Sequence, residues 1–242
     1  MKFSKKLKLL TIIILSSSVF LIYKLTNHHN INYTALGDGF AQGIDCYGRV
    51  DYGYNDYVKD FLQENNKLMN YSNYHIKEDM TIESLYNTIL TDKKMNNNNT
   101  KTNIIHILRD SDYLTISVGI NDLLYKLSMT SEYTEENLNV VINEIEKSFN
   151  NLINEIEKIY NREIIIIGYY EPPNTNEFLS MAIKKLNNIY KKNKKVTYIS
   201  TYTISENKNI FLSNPNSYYP NYKGYQLISN KIIDKISKKL EK

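Results

Sequence analysis

Three short segments hold the residue types that acyl-transfer chemistry uses. The first is Gly37-Asp38-Gly39-Phe40, directly after the apolar run Tyr33–Leu36. A strand ending in Gly-Asp-X-aromatic can present a nucleophile at the rim of a parallel sheet. The second is Gly119-Ile120-Asn121-Asp122, after "YLTISV". The third, "NSYYPNYKGYQLI" at 216–228, leads toward the C-terminus. Ester attack by a hydroxyl needs a base to take its proton and a third group to orient that base. Position 39, however, has no side chain. The four histidines are His28, His29, His75 and His106, so none stands in the 216–228 segment. No carboxylate occurs between Glu206 and Asp234 either, so a shifted register cannot supply an acid there.

The elements that must position these residues alternate along the chain. Apolar runs at Tyr33–Gly37, Tyr113–Gly119 and Glu163–Tyr169 suit buried parallel strands, with weaker ones at Asn70–Ile76 and Val196–Ser200. Residues 134–160 carry Leu138, Ile142, Ile145, Phe149, Leu152, Ile156 and Ile159 at steps of four and three. With strands on both sides, this seam predicts a helix lying on a sheet rather than a coiled coil. Two further helices are predicted over 174–193 and 222–240, and "NNNNTKTN" at 96–103 as a polar loop. The alternation implies an α/β domain over residues 32–242, a three-layer α/β/α sandwich with a mostly parallel sheet.

In this order and spacing the three segments resemble the SGNH (GDSL) hydrolase family over roughly residues 32–240. The resemblance implies a serine esterase fold and site. In that family the first motif ends in the nucleophilic serine, which falls on Gly39. The final Asp-x-x-His-Pro motif supplies acid and base, and here it reads Asn216-Ser217-Tyr218-Tyr219-Pro220. Aspartate thus becomes Asn216 and histidine becomes Tyr219. Oxyanion donors come from the nucleophile's N–H, from a glycine of a second block and from the asparagine of the third. The second-block glycine falls on Glu78, while Gly119, Asn121 and Asp38 keep the pattern. The resemblance therefore implies a family frame in which Gly39, Asn216 and Tyr219 are vestigial catalytic positions. Gly39, Gly119 and Asn121 are its oxyanion or ligand-binding candidates, and Asp38, Glu78, Tyr218 and Tyr219 line its cleft.

Each of these residues also has a simpler structural role open to it. Asp38 ties down its own turn or substitutes as a nucleophile. Asn121 holds a loop or binds a ligand. Tyr218 and Tyr219 fill the space an imidazole would leave, or contact a ligand. The cluster Tyr47, Tyr52, Tyr54 and Tyr57 lines the cleft mouth or only caps the first helix. Glu171-Pro172-Pro173 reads as a rigid turn. No metal-ligand spacing, phosphate loop or nucleic-acid motif occurs, so no metal or cofactor is expected.

Lys2, Lys5, Lys6 and Lys8 precede a charge-free stretch from Leu9 to Tyr23, closed by Lys24. This pattern predicts a signal anchor or signal peptide at 1–24 followed by a stalk at 25–31, with the lysines staying inside. Five of the 30 basic residues lie in 1–24, leaving 25 against 26 acids and a net charge of −1. A basic surface for nucleic acid is thereby excluded. The single cysteine, Cys46, excludes an internal disulfide. The expectation is an exported domain held at the cell membrane through residues 1–24, or secreted after cleavage. It would be a non-catalytic esterase relative binding an envelope glycan, lipid or protein. The alternative is an ester hydrolase acting on lipid or envelope-glycan esters through a rearranged site.

Overall fold

A computed structural model describes residues 30–91, 94–97, 100–214 and 217–240. The segment 1–24, most of the stalk and Asn216 lie outside the described residues. Among the described residues no helix is long and apolar enough to cross a membrane.

Seven strands occur among these residues: β1 (Ile31–Gly37), β2 (Leu68–Ser72), β3 (Lys94–Asn97), β4 (Thr100–Asn103), β5 (Tyr113–Ser117), β6 (Ile164–Ile167) and β7 (Val196–Ile199). Five form one sheet in the order β2-β1-β5-β6-β7, and every pairing in it is parallel. The reason is plainest at β6, four consecutive isoleucines that are all buried. A strand apolar on both faces is stable only with helices on both sides. The edge strand β2 is only half-buried or exposed along its length, which accounts for its weaker sequence signal.

The helices fall into two packed groups. Tyr54–Glu64 lies against Tyr222–Leu240, whereas Ile82–Leu90, Ile120–Ser128 and Glu177–Lys192 surround or adjoin Glu135–Glu157. With the sheet between them, the groups make three layers. Glu135–Glu157 buries the predicted seam from Leu138 to Ile156, and Thr134 caps it by accepting from the Asn137 N–H at 3.2 Å. Each seam isoleucine or leucine contributes about 1.5–3 kcal/mol of burial.

One expectation is corrected. The described part of the Asn-rich stretch at 96–103 is not an irregular loop, because residues 96–97 and 100–103 lie in β3 and β4, which pair antiparallel from Lys94↔Asn103 to Asn97↔Thr100. Its polarity carries no alternating apolar face, so no strand signal shows in the sequence.

The chain order places β1 beside β5 at the centre. The connection from β1 runs outward to β2, and that from β5 runs the other way to β6. The crevice above the carboxyl ends of β1 and β5 is thus a topological switch point, where open α/β sheets bind ligands.

Candidate functional site

The first motif turns off β1 at Gly37, whose φ is 132°. A Cβ there would stand 2.0 Å from the Ser117 carbonyl oxygen, so only glycine lets β1 pass β5 this closely. The ladder continues one residue further, with Asp38 N donating to Ser117 O at 2.9 Å. The Asp38 side chain is then enclosed. Its Oδ1 accepts from Phe40 N at 3.1 Å and from Ser117 Oγ at 2.8 Å, and its Oδ2 accepts from the Tyr169 hydroxyl. Only 1% of Asp38 is exposed. Burial pushes its carboxyl up to about 7, against the lowering effect of these hydrogen bonds. A carboxylate so enclosed cannot reach an ester carbon, and its role is to hold the turn.

Beside it, Gly39 opens the short helix Gly39–Gln42. A Cβ at position 39 would meet Tyr219 Oη at 2.3 Å, with two ring carbons of Tyr219 within 2.8 Å. The tyrosine therefore occupies the space into which a side chain at position 39 would project. Tyr219 is half-buried, and its ring centroid lies 5.9 Å from that of Phe40. Burial raises its hydroxyl's pKa, and the carboxylates of Asp38 and Glu78 raise it further. The phenol stays protonated at neutral pH and offers no base.

The second motif is sewn to the segment before Ile82–Leu90. Asn121 Nδ2 donates to Glu78 O at 2.8 Å and to Met80 O at 3.0 Å. Both amide hydrogens are thus engaged by backbone. Asp122 accepts from Ile82 N at 2.9 Å and caps that helix, while burial raises its carboxyl's pKa. Gly119 leads Ile120–Ser128 with a φ of 122°. Asn121 and Asp122 together fix the loop that carries Glu78.

These parts surround a cavity of about 230 Å³ over the strand ends, lined among others by Phe40, Glu78, Asn121, Tyr170, Tyr218 and Tyr219. Tyr218 stands at its mouth, 47% exposed, and its carbonyl accepts from the Tyr170 hydroxyl at 2.7 Å. The structure therefore brings together Asp38, Gly39, Glu78, Asn121, Tyr218 and Tyr219, with Gly119 beside them. Asn216 lies outside the described residues. The tyrosines following the first motif do not line this cavity. Tyr54 is fully buried, Tyr52 donates to Asp60 and packs edge-on to Tyr57, and Tyr47 points to solvent. Three residues that sequence reasoning missed complete the site: Ser117, Tyr169 and Tyr170. The only signal for them was their place just at or after the ends of β5 and β6. Among the described residues no group of three His, Cys, Asp or Glu could hold a metal ion.

A sequence model of the GDSL-like lipase/acylhydrolase family matches residues 33–232. Among solved structures, the fold is similar to that of the lipase Lip_vut3 from a goat rumen metagenome. There the TM-score is 0.69 at 18% identity, over 85% of this chain and 97% of that chain. It is also similar to Axe2, an acetylxylan esterase from Geobacillus stearothermophilus, with a TM-score of 0.57 at 18% identity, over 85% and 94%. Catalytic mutants of Axe2 replace a serine, a histidine, or an aspartate three positions before that histidine. At such identities the likeness speaks for the fold alone. No curated protein sequence matches the chain.

Proposed function

We propose, from the premise that this chain belongs to the GDSL-like lipase/acylhydrolase family, that it has lost hydrolysis and binds a ligand or partner through the vestigial cleft. One observation carries this reading. The ring and hydroxyl of Tyr219 fill the space above Gly39, where the family's nucleophile would project. The cleft thus has neither a nucleophile nor room for one, and its phenol is no base. Asn216 in place of the acid is consistent with the same loss, since a serine–histidine pair without its orienter also turns over poorly.

The expected result is direct. The purified full-length protein should hydrolyse short p-nitrophenyl esters no faster than a heat-inactivated control, while melting temperature rises with a fitting envelope ligand. Enzyme-like turnover, abolished in Asp38→Asn or Tyr219→Phe, would establish a rearranged ester hydrolase and end the binding reading.

The proposal includes export, with residues 1–24 as an uncleaved anchor. β1 enters the sheet at Ile31 and runs seven residues, about 23 Å, to the cavity end. The tether joins the domain at the end remote from the cleft. On this arrangement the cleft faces away from the bilayer, which favours an envelope polymer or partner over a lipid of the anchoring membrane. In cell fractionation the protein should stay with membranes through a high-salt wash, because screening does not release an apolar span. A soluble form beginning near Thr26 would show cleavage instead.

A further inference from the structure

We infer that the cavity beside Tyr219 receives a small organic cation, an ammonium or quaternary ammonium group borne by the ligand. This deepens the binding reading above and rests on it. The argument starts from which partners the cavity offers. Among its described lining residues Glu78 is the one charged side chain, and it is exposed at the rim. None of those described residues is a lysine, arginine or histidine.

Most of the hydrogen-bond donors that an acyl oxygen or an anion would need are engaged, which leaves the hydroxyls of Tyr218 and Tyr219 as the side-chain donors of the lining. Both hydrogens of the Asn121 amide go to Glu78 O and Met80 O. The hydroxyls of Tyr169 and Tyr170 donate to Asp38 and to Tyr218 O. An anion here would meet a carboxylate and no cation.

The remaining surface is apolar and largely aromatic, with Ile120, Leu124, Pro172 and Ile183 beside the rings. The rings of Tyr169, Tyr170 and Tyr219 all stand within 6 Å of the Phe40 ring, centroid to centroid. Tyr218 adds an exposed ring at the mouth. Aromatic walls with one carboxylate attract a positive group through ring quadrupoles and charge, most strongly a weakly hydrated one. The Glu78 carboxylate thus sets the polarity of the pocket. A developing oxyanion would be opposed there and a cation attracted.

The test compares choline with its neutral isostere 3,3-dimethylbutan-1-ol in NMR titrations of the full-length protein, with acetate as the anionic control. Choline should bind at least about tenfold more tightly than the alcohol. Glu78→Gln, which changes an exposed side chain and keeps its shape, should weaken choline about tenfold and leave the alcohol unchanged. Tyr218→Ala should weaken choline as well, and acetate should not compete. Equal affinity for choline and alcohol overturns the inference, as does choline binding indifferent to Glu78→Gln. If esters are also not hydrolysed, the binding reading survives that result and the cation alone is lost. Ester turnover by the wild type would remove the reading beneath it.

Discussion

Gly39→Ser by itself should yield a protein still inert toward esters and less stable than the wild type. The two effects have separate causes. A serine at position 39 has no base within reach, so its hydroxyl stays protonated. Its Cβ also meets the hydroxyl end of Tyr219 at 2.3 Å. The backbone at Gly39 is not in the left-handed region, so an L-residue brings no conformational strain of its own. The cost is the displacement of Tyr219 from the Phe40 cluster, about 1–3 kcal/mol. Gly39→Ala measures this without adding a hydroxyl. In a Tyr219→Ala background the same substitution should cost nothing and gain up to about 1 kcal/mol from helix propensity. A double-mutant cycle by urea denaturation reads the coupling directly. No coupling would mean that Tyr219 does not occupy the position-39 space.

Activity should return only with the whole set. Gly39→Ser with Tyr219→His removes the obstruction and supplies a base, and Asn216→Asp completes the spacing of the aspartate and histidine mutated in Axe2. General-base assistance contributes about 10²–10⁴-fold, so the triple variant should exceed Gly39→Ser by at least about 10²-fold on p-nitrophenyl acetate. It should remain slow, because the Asn121 amide is held by backbone carbonyls and the Glu78 carboxylate lines the cavity, where its charge would oppose a developing oxyanion. Loss of one oxyanion donor alone costs about 10²–10³-fold. Glu78→Gly added to the triple variant should therefore raise the rate again. A Gly39→Ser single variant as fast as the triple one would show that some other group serves as base.

How far this site can be read from the sequence depends on the distance each contact spans. The strands β1, β5 and β6 announce themselves as apolar runs because both faces are buried, and the helix over Glu135–Glu157 does so through its seam. β5 and β6 are shorter than their apolar runs, whereas β1 begins two residues before its run, at Ile31. Gly119 begins the next cap rather than ending β5, and β6 stops at Ile167 before the tyrosines that turn into the cleft. The three motif segments are legible because each is local. The bonds that define their roles are not. Ser117 and Tyr169 reach Asp38 from 79 and 131 residues away, and only the parallel register of β1 with β5 and β5 with β6 brings them there. Likewise, a tyrosine in the place of a histidine reads as a simple loss. Only the packing shows that its ring takes the space that Gly39 leaves.

Asp38→Asn should make the protein more stable relative to wild type as the pH rises, the reverse of the behaviour of an exposed or ion-paired aspartate. The Asp38 carboxyl is pushed up to about 7 by burial, from an ordinary value of 3.8. Between about pH 4 and 7 the folded state keeps this proton while the unfolded chain has released it. Stability then falls with rising pH, by about 1.4 kcal/mol per unit across that window, and levels off above it. The total is about 4 kcal/mol, the cost of enclosing an unpaired charge whose hydrogen-bond partners are all neutral. In the protonated form, Oδ2 donates to the Tyr169 hydroxyl oxygen. Asparagine copies that state, since its amide can donate to Tyr169 while its oxygen accepts from Phe40 N and Ser117 Oγ. Near pH 4 the two proteins should therefore unfold at similar urea concentrations. Near pH 8 the variant should lead by several kcal/mol. Asp38→Ala supplies the contrast at every pH, because it leaves the Ser117 and Tyr169 hydroxyls without their acceptor and removes the cap, at a cost of about 2–5 kcal/mol. A stability difference between wild type and Asp38→Asn that does not vary from pH 4 to 8 would show that the carboxylate is already ionised throughout. The turn would then hold a fixed negative charge at the back of the cleft.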